Sequence, residues 1–594
     1  MALQSNTQIF IGGKPIDSFK RLTLKQHIDA HHELELVCRM DVLEGLGDEL
    51  ALETKKFLGE TIVLKIASID DSSGYEELEF KGVVTYVQNI KGFHQKGGDI
   101  ISFQAQSCSI IADDGPHYSS YSDVGLSEIL DNTFNGYDRA KLETDFNPQN
   151  GQNIHYSVQH NESSFEYASR LAAQYSEWFY YDGKKLVFGQ PEDGDPVELH
   201  YGFDLQEFSL KLHPIPNKFN YFTNDYLADE QYEVASQEIS TGANGFNGYT
   251  SNKSEELFPK ETNVFVNSLI DTELRPRLNT YVEHQKKAIE SRQVLIQGVC
   301  DNPGVTVGQV VKIKEQNTYH GNFRITQVIH NCTESGRYQN QFVGVTIDLD
   351  VYPKTDMSAF PKSESQIAIV KENADPDKLG RIKVQFFWQK VTGEMTPWLR
   401  IMTPHAGGEK GFHFIPEKDE EVIIGFEGGN AERPFVMGAM YTGNGKPDEG
   451  WETAENDIKA IRTRGGHTIS FSDQDGGESI SITDKNGNSI VLDTVDKSIA
   501  ISAPDSISIS SKKVSISGSS SVSVNGSKVK IGGKAVVIDG ANSTNVSSDD
   551  KVVLTGKTAV NVNSDKEIYI NGLAKSTISS SGVTSVEGTI IKLN

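Results

Sequence analysis

His31, His32 and Cys38, in the stretch AHHELELVC, are residue types that ligate zinc and other transition metals. The alternation of polar and apolar residues through that stretch instead fits a strand of a polar-faced barrel, and a strand is expected there. His405, Glu409 and His413 in PHAGGEKGFH are four apart, which on a helix would gather three ligands on one side. Gly407, Gly408 and Gly411 stand among them and forbid that helix, so no metal centre is expected. Cys38, Cys108, Cys300 and Cys332 show no CxxC pair and no tight spacing, and read as buried small apolar residues. Gly556-Lys557-Thr558 has the tail of a phosphate loop, but Lys551 stands where its first glycine belongs. HExxH, GxSxG and GxGxxG are absent. Phe386, Phe387, Trp388 and Trp398 could stack nucleic-acid bases. Seven basic against eight acidic residues over 381–440 leave no basic groove, so these aromatics are expected to fill a small barrel or its packing face. With 82 Asp and Glu, no carboxylate pair singles itself out for glycosidase work. No catalytic residue, metal ligand or cofactor is expected.

The 594 residues suit about four folded units, and the net charge of −26 repels nucleic acid and anionic lipid wherever the acidic excess is evenly spread. The start lacks a basic n-region and a long apolar run, so synthesis and first folding are expected in the cytoplasm. Residues 1–352 read as mixed β with a few helices. Thr61 to Ile66, Leu78 to Val87 and Ile100 to Gln106 are strand-like, as in a barrel or sandwich. Ser163 and Glu166 form a capping-box signal, and Ala168, Leu171, Ala172 and Tyr175 then share one face, which predicts a helix over 163–177. A second helix is predicted over 271–291, kinked or starting late because of Pro276. Residues 353–366 suit a linker, and 367–441, with five or six short strands, suit an OB-like barrel. A second linker is expected over 442–461.

From Gly465 to Asn594 there are 27 serines, one proline and two aromatics, which no ordinary core would use. Apolar doublets with one residue between them recur: Ile480/Ile482, Ile490/Leu492, Ile499/Ile501, Ile507/Ile509, Val514/Ile516, Val522/Val524, Val529/Ile531, Val560/Val562 and Ile568/Ile570. From Ile499 onward their first members are spaced 8, 7, 8 and 7. Such a period means a short strand with one buried face, then a polar corner, repeated as a β-helix over 462–594. One chain coiling on itself and three chains sharing a prism fit this pattern equally well. A polysaccharide-acting β-solenoid enzyme or adhesin would add a secretion signal, aromatic stacks and clustered acids, which are missing here.

Three blocks carry a resemblance: IVKENADPDKLGRIKVQFFW (369–388), WLRIMTPHAGGEKGFHFIPEKDEEVIIGFEGGNAERPFVMGAMY (398–441) and RTRGGHTISFSDQDGGESISI (462–482). With ESSFEYASRLAAQYSEWFYYDG (162–183), they resemble the VgrG spike proteins of type VI secretion systems, kin of contractile phage tail spikes. The resemblance implies a mainly β homotrimer: a base of paired β-barrels seated on an Hcp-like tail-tube hexamer and baseplate, an OB-like collar, and a triple-stranded β-helix needle. It implies a structural role without enzyme activity: effectors are delivered, the target membrane is crossed mechanically, and the protein leaves the cytoplasm through the apparatus without a signal peptide. The interval Thr442 to Ile461 leaves no room for an inserted lysozyme, and the repeat runs to near Asn594. A spike of a phage tail or extracellular injection system has the same mechanics. The doublets are then the trimer core. Val583, Val586, Ile590 and Ile591, near the last residues, would form a blunt apolar platform for a separate tip protein of the PAAR-repeat kind.

Overall fold

Alternate residues of the early strands face inward, and the strands close into rings. The computed structural model describes residues 3–40, 55–69, 75–90, 99–192, 194–266 and 274–593, in two compact units, 1–456 and 457–594. Eight antiparallel strands form the first ring: Leu3–Ile11, Thr61–Ser68, Leu78–Ile90, Ile100–Ser107, Glu33–Arg39, Arg21–His27, Thr318–Thr333, Arg337–Thr346 and back to Leu3–Ile11. Leu24, Leu36, Ile62, Leu64, Ile66 and Phe103 fill it and are fully buried. The second ring runs Val197–His200, Val310–Glu315, Thr318–Thr333, Arg337–Thr346, Val294–Cys300 and Leu205–Leu212, its ends joined by a bridge between Tyr201 and Leu205.

Two strands therefore belong to both rings. Thr318–Thr333 pairs with Val310–Glu315 through its first half and with Arg21–His27 through its second. Between the halves, its register with Arg337–Thr346 shifts at Ile325/Gln327. Such a bulge bends and twists a strand, which lets this one leave one ring and enter the other.

The capping box forms as the sequence predicts. Ser163 Oγ accepts from Glu166 N at 3.1 Å, and Glu166 Oε2 accepts from Ser163 N at 2.9 Å, opening helix Ser164–Tyr175. Ala168, Leu171 and Ala172 are fully buried in the ring-side core, and Ser176 at φ 62° stops the helix. The second predicted helix is Leu274–Ser291, with Pro276 in its first turn, where its missing N–H costs nothing; 271–273 lie outside the described residues. Helices Leu126–Thr133 and Gly245–Leu257 were not expected. The latter is built from poor helix formers and is held by buried bonds instead: Asn247 Nδ2 donates to Glu290 O, and Ser251 Oγ to Glu290 Oε1.

The stretch 353–366, expected as a linker, is pinned along half its length. Thr355 and Met357 are buried, Asp356 N donates to Ala173 O, and Gln285 bonds Thr355 O and Met357 N. The OB-like barrel follows, with strands in the order Lys383–Phe386, Gln366–Glu372, Glu421–Phe426 and Pro434–Ala439. The expected strand Trp398 to Met402 is reduced to two bridges, Leu399 to Ile382 and Ile401 to Val436, which join the two edges and close the barrel.

The second unit begins inside the expected linker 442–461, because Ile458–Arg462 is already a strand. Five strands, Ile458–Arg462, Thr468–Ser472, Ser479–Thr483, Ser489–Asp493 and Ser498–Ser502, form an antiparallel meander. Beyond 502 the described chain forms no strand pairs, bends every seven or eight residues, and is exposed throughout from 504 to 593.

Candidate functional site

The metal-type residues are dispersed. His31 lies 4.0 Å, centroid to centroid, from Phe165 and pairs its Nδ1 with Ser109 Oγ at 2.8 Å. His32 is buried among Phe80 and Tyr181, and burial pulls its pKa from 6.5 down to about 3, so the ring is neutral. Cys38 is fully buried within strand Glu33–Arg39, and burial pushes its thiol up to about 12. All four cysteines are buried free thiols, as read from their spacing. His405, Glu409 and His413 are exposed around a hairpin made by Ala406–Gly407 and Lys410–Gly411. Among the described residues, no group of three or more His, Cys, Asp or Glu is arranged to hold a metal ion. Lys557 and Thr558 sit at an exposed bend.

The aromatic run does packing work. Phe386 is buried in the OB barrel and stacks on Trp388, 5.3 Å away at 6°. Trp388 leans out of the barrel onto Tyr156, Val158 and Ala431, and its Nε1–H donates to Gln366 Oε1 at 3.0 Å. Trp398 lies beneath Lys383 Nζ, and Phe387 is half exposed beside Lys390.

Around Trp388 the base and OB barrel are joined by buried polar side chains that the sequence did not single out. Glu432, 4% exposed, receives bonds from Arg170 Nη1, Gln174 Nε2, Ser157 Oγ and Val158 N, all at 3.3–3.4 Å. Arg170 also grips Glu162, through Nε at 2.7 Å and Nη2 at 3.1 Å, and donates to Val158 O at 2.7 Å. Burial raises the Glu432 pKa, and Arg170 works against that rise. Gln389, fully buried, donates to Ser120 Oγ at 2.7 Å and accepts from Phe386 N. The sequence signal was present but split: Glu162, Arg170 and Gln174 lie in the block 162–183, and Glu432 in the block 398–441.

The second unit holds the expected core doublets. In the meander, Ile482 faces Ile490 and Ile490 faces Ile501, while Ile480 faces Leu492 and Leu492 faces Ile499. Ile469 and Phe471 extend the same face, whose apolar side chains are 38–71% exposed. The opposite face is mostly Ser and Thr, with Val491, Asp493 and Ala500 among them, and the Ser470 and Ser481 hydroxyls lie 2.7 Å apart.

Beyond 502, bends at 504/505, 512, 519/520, 527, 534, 541/542, 549/550, 557/558, 565/566, 573/574, 581/582 and 589 set a register. Each repeat then places two residues, i and i+2, in two columns. Column one begins Ile507, Val514, Val522, Val529, Val536, and its apolar members are 49–56% exposed. Column two begins Ile509, Ile516, Val524, Ile531, Ile538, and its members are 64–75% exposed up to Val586. The sequence alone shows the doublets through Val529/Ile531 and again at Val560/Val562 and Ile568/Ile570. The bends carry the columns on through Val546, Val552/Leu554 and later repeats to Ile591/Leu593. Val586 and Ile591 fall in columns; Val583 and Ile590 stand outside both, 88% and 76% exposed.

Residues 28–199 match the phage tail baseplate hub family, and 366–441 match the type VI secretion system/phage-baseplate injector OB domain. The structure resembles VgrG in a Francisella PdpA–VgrG complex, with a TM-score of 0.54 at 10% identity over 84% of this chain and 80% of that one. In fold, the chain is similar to a chain of that complex. VgrG1a of Pseudomonas aeruginosa, a type VI secretion spike protein, is 22% identical over 357 residues, 54% of this chain and 53% of that protein. VgrG1 of Vibrio cholerae, an actin cross-linking toxin, is 30% identical over 109 residues, 17% of this chain and 10% of that protein. The chain thus spans at most about half the length of these VgrG relatives.

Proposed function

We propose that the chain is the trimeric puncturing spike of a type VI secretion apparatus, acting by force and not by catalysis. The observation that carries this reading is the needle. From 503 to 593, twelve repeats hold two columns that are Ile, Val or Leu at all but three positions, with no strand pairing inside the chain. A single-chain solenoid would pair successive turns of itself, so the columns and backbone groups are matched by other copies. Three copies around an axis bury the columns, and the Ile469 to Ile501 face of the meander extends the same apolar surface.

The paired rings serve as the base on an Hcp-like tube and baseplate, and the OB barrel as collar. Val586, Ile591 and the flanking Val583 and Ile590 would seat a PAAR-type tip protein, through which effectors ride. The protein would be made in the cytoplasm and leave through the apparatus. Sedimentation of the purified chain should give about three times 65.5 kDa. A soluble monomer with native β content at micromolar concentration would overturn the trimer.

A further inference from the structure

Column two is apolar in all twelve repeats, but column one carries hydroxyls at Thr544, Ser576 and Thr584. A hydroxyl in an apolar layer gives up its water and is destabilising unless it is hydrogen-bonded. Three copies around an axis offer a remedy that one chain lacks. Each hydroxyl donates to the next copy and accepts from the third, and the ring closes with every proton placed.

Such rings form only when the copies are level. The three hydroxyls are separated by four repeats, by one, and, between the outermost pair, by five. These separations all differ. Sliding one copy by any whole number of repeats therefore leaves at most one hydroxyl opposite another and sets the rest against Val or Ile. Without them, the doublets would tolerate a slide, since methyl meets methyl at every step.

We propose that Thr544, Ser576 and Thr584 are register-setting residues, whose hydroxyl rings admit only the level alignment of three copies of this chain. The logic is that of a lone buried Asn fixing coiled-coil register. The proposal rests on the trimeric needle described above.

The test uses the full chain carrying Ser585→Cys, which lies between column residues Thr584 and Val586, with a spin label; the four native thiols are buried. Sedimentation reports the trimer, and pulsed electron paramagnetic resonance reports distances between labels. The parent should give one interspin distance. On that background T544V/S576V/T584V should keep the trimer mass and add longer distances from slipped copies, whereas T544S/S576T/T584S should keep the single distance. A single unchanged distance in the valine variant overturns the proposal. So does a valine variant that cannot form trimers, because valine is the column's own residue type. A parent that is not trimeric overturns the spike reading itself.

Discussion

Glu432 and Arg170 meet where water is excluded, with side chains 5% and 9% exposed. Removing one partner of such a pair leaves the other buried and uncompensated, at a cost of about 3–5 kcal/mol. Glu432→Ala should therefore lower the unfolding midpoint of the base and OB barrel together, measured by tryptophan fluorescence, since Trp388 lies in the joint. Glu432→Gln, which keeps an acceptor for Val158 N, should lose less. His32 gives a pH dependence. It is neutral in the fold, with a pKa of about 3 against 6.5 when unfolded, so the unfolded chain binds the extra proton. Stability is fully present above pH 6.5 and falls as pH drops from there toward 3, by up to about 1.4 kcal/mol per unit. His32→Phe should flatten that slope by one proton in denaturant titrations run across this range.

In the proposed trimeric needle, the sign of a substitution depends on its place in the repeat. Ile507→Asp would set three carboxylates in one apolar layer, with desolvation and repulsion each costing several kcal/mol. Ser508→Asp, between the columns, should be nearly silent. Thermal and detergent resistance of the full chain measure both, and equal losses would mean that the columns are misassigned. The period-two strands and the 164–175 helix were legible because their signals are local: inward Ile62, Leu64 and Ile66, or Ser163 beside Glu166. The shared strands were not, since His27 to Arg21 pair with Gln327 to Thr333 some 300 residues away. The meander was read as part of the β-helix because its Ile480/Ile482 and Ile490/Leu492 doublets have the same chemistry as the later ones. Only their turns differ, such as Asp484 to Asn488 against a bend of one or two residues. The Glu432 joint was invisible as a site because a lone Glu among 82 acids carries no local mark.

Across the whole molecule, the net charge of −26 is not evenly spread: 503–594 holds ten lysines against seven Asp and Glu, so the acidity belongs to residues 1–502. Segment 503–594 therefore meets an anionic surface without the repulsion that the total suggests. The two strands common to both rings have a further consequence, visible in time and not in shape. Opening either ring breaks pairs that also hold the other, so these strands have no local route to solvent. In hydrogen–deuterium exchange, amides of Phe323–Cys332 and Tyr338–Val345 should be the last in the base to exchange, at one common rate. Those of Leu205–Leu212, paired in the second ring alone, should exchange earlier. The shared strands would then serve as the base's clock, recording only those events in which the whole double ring comes apart.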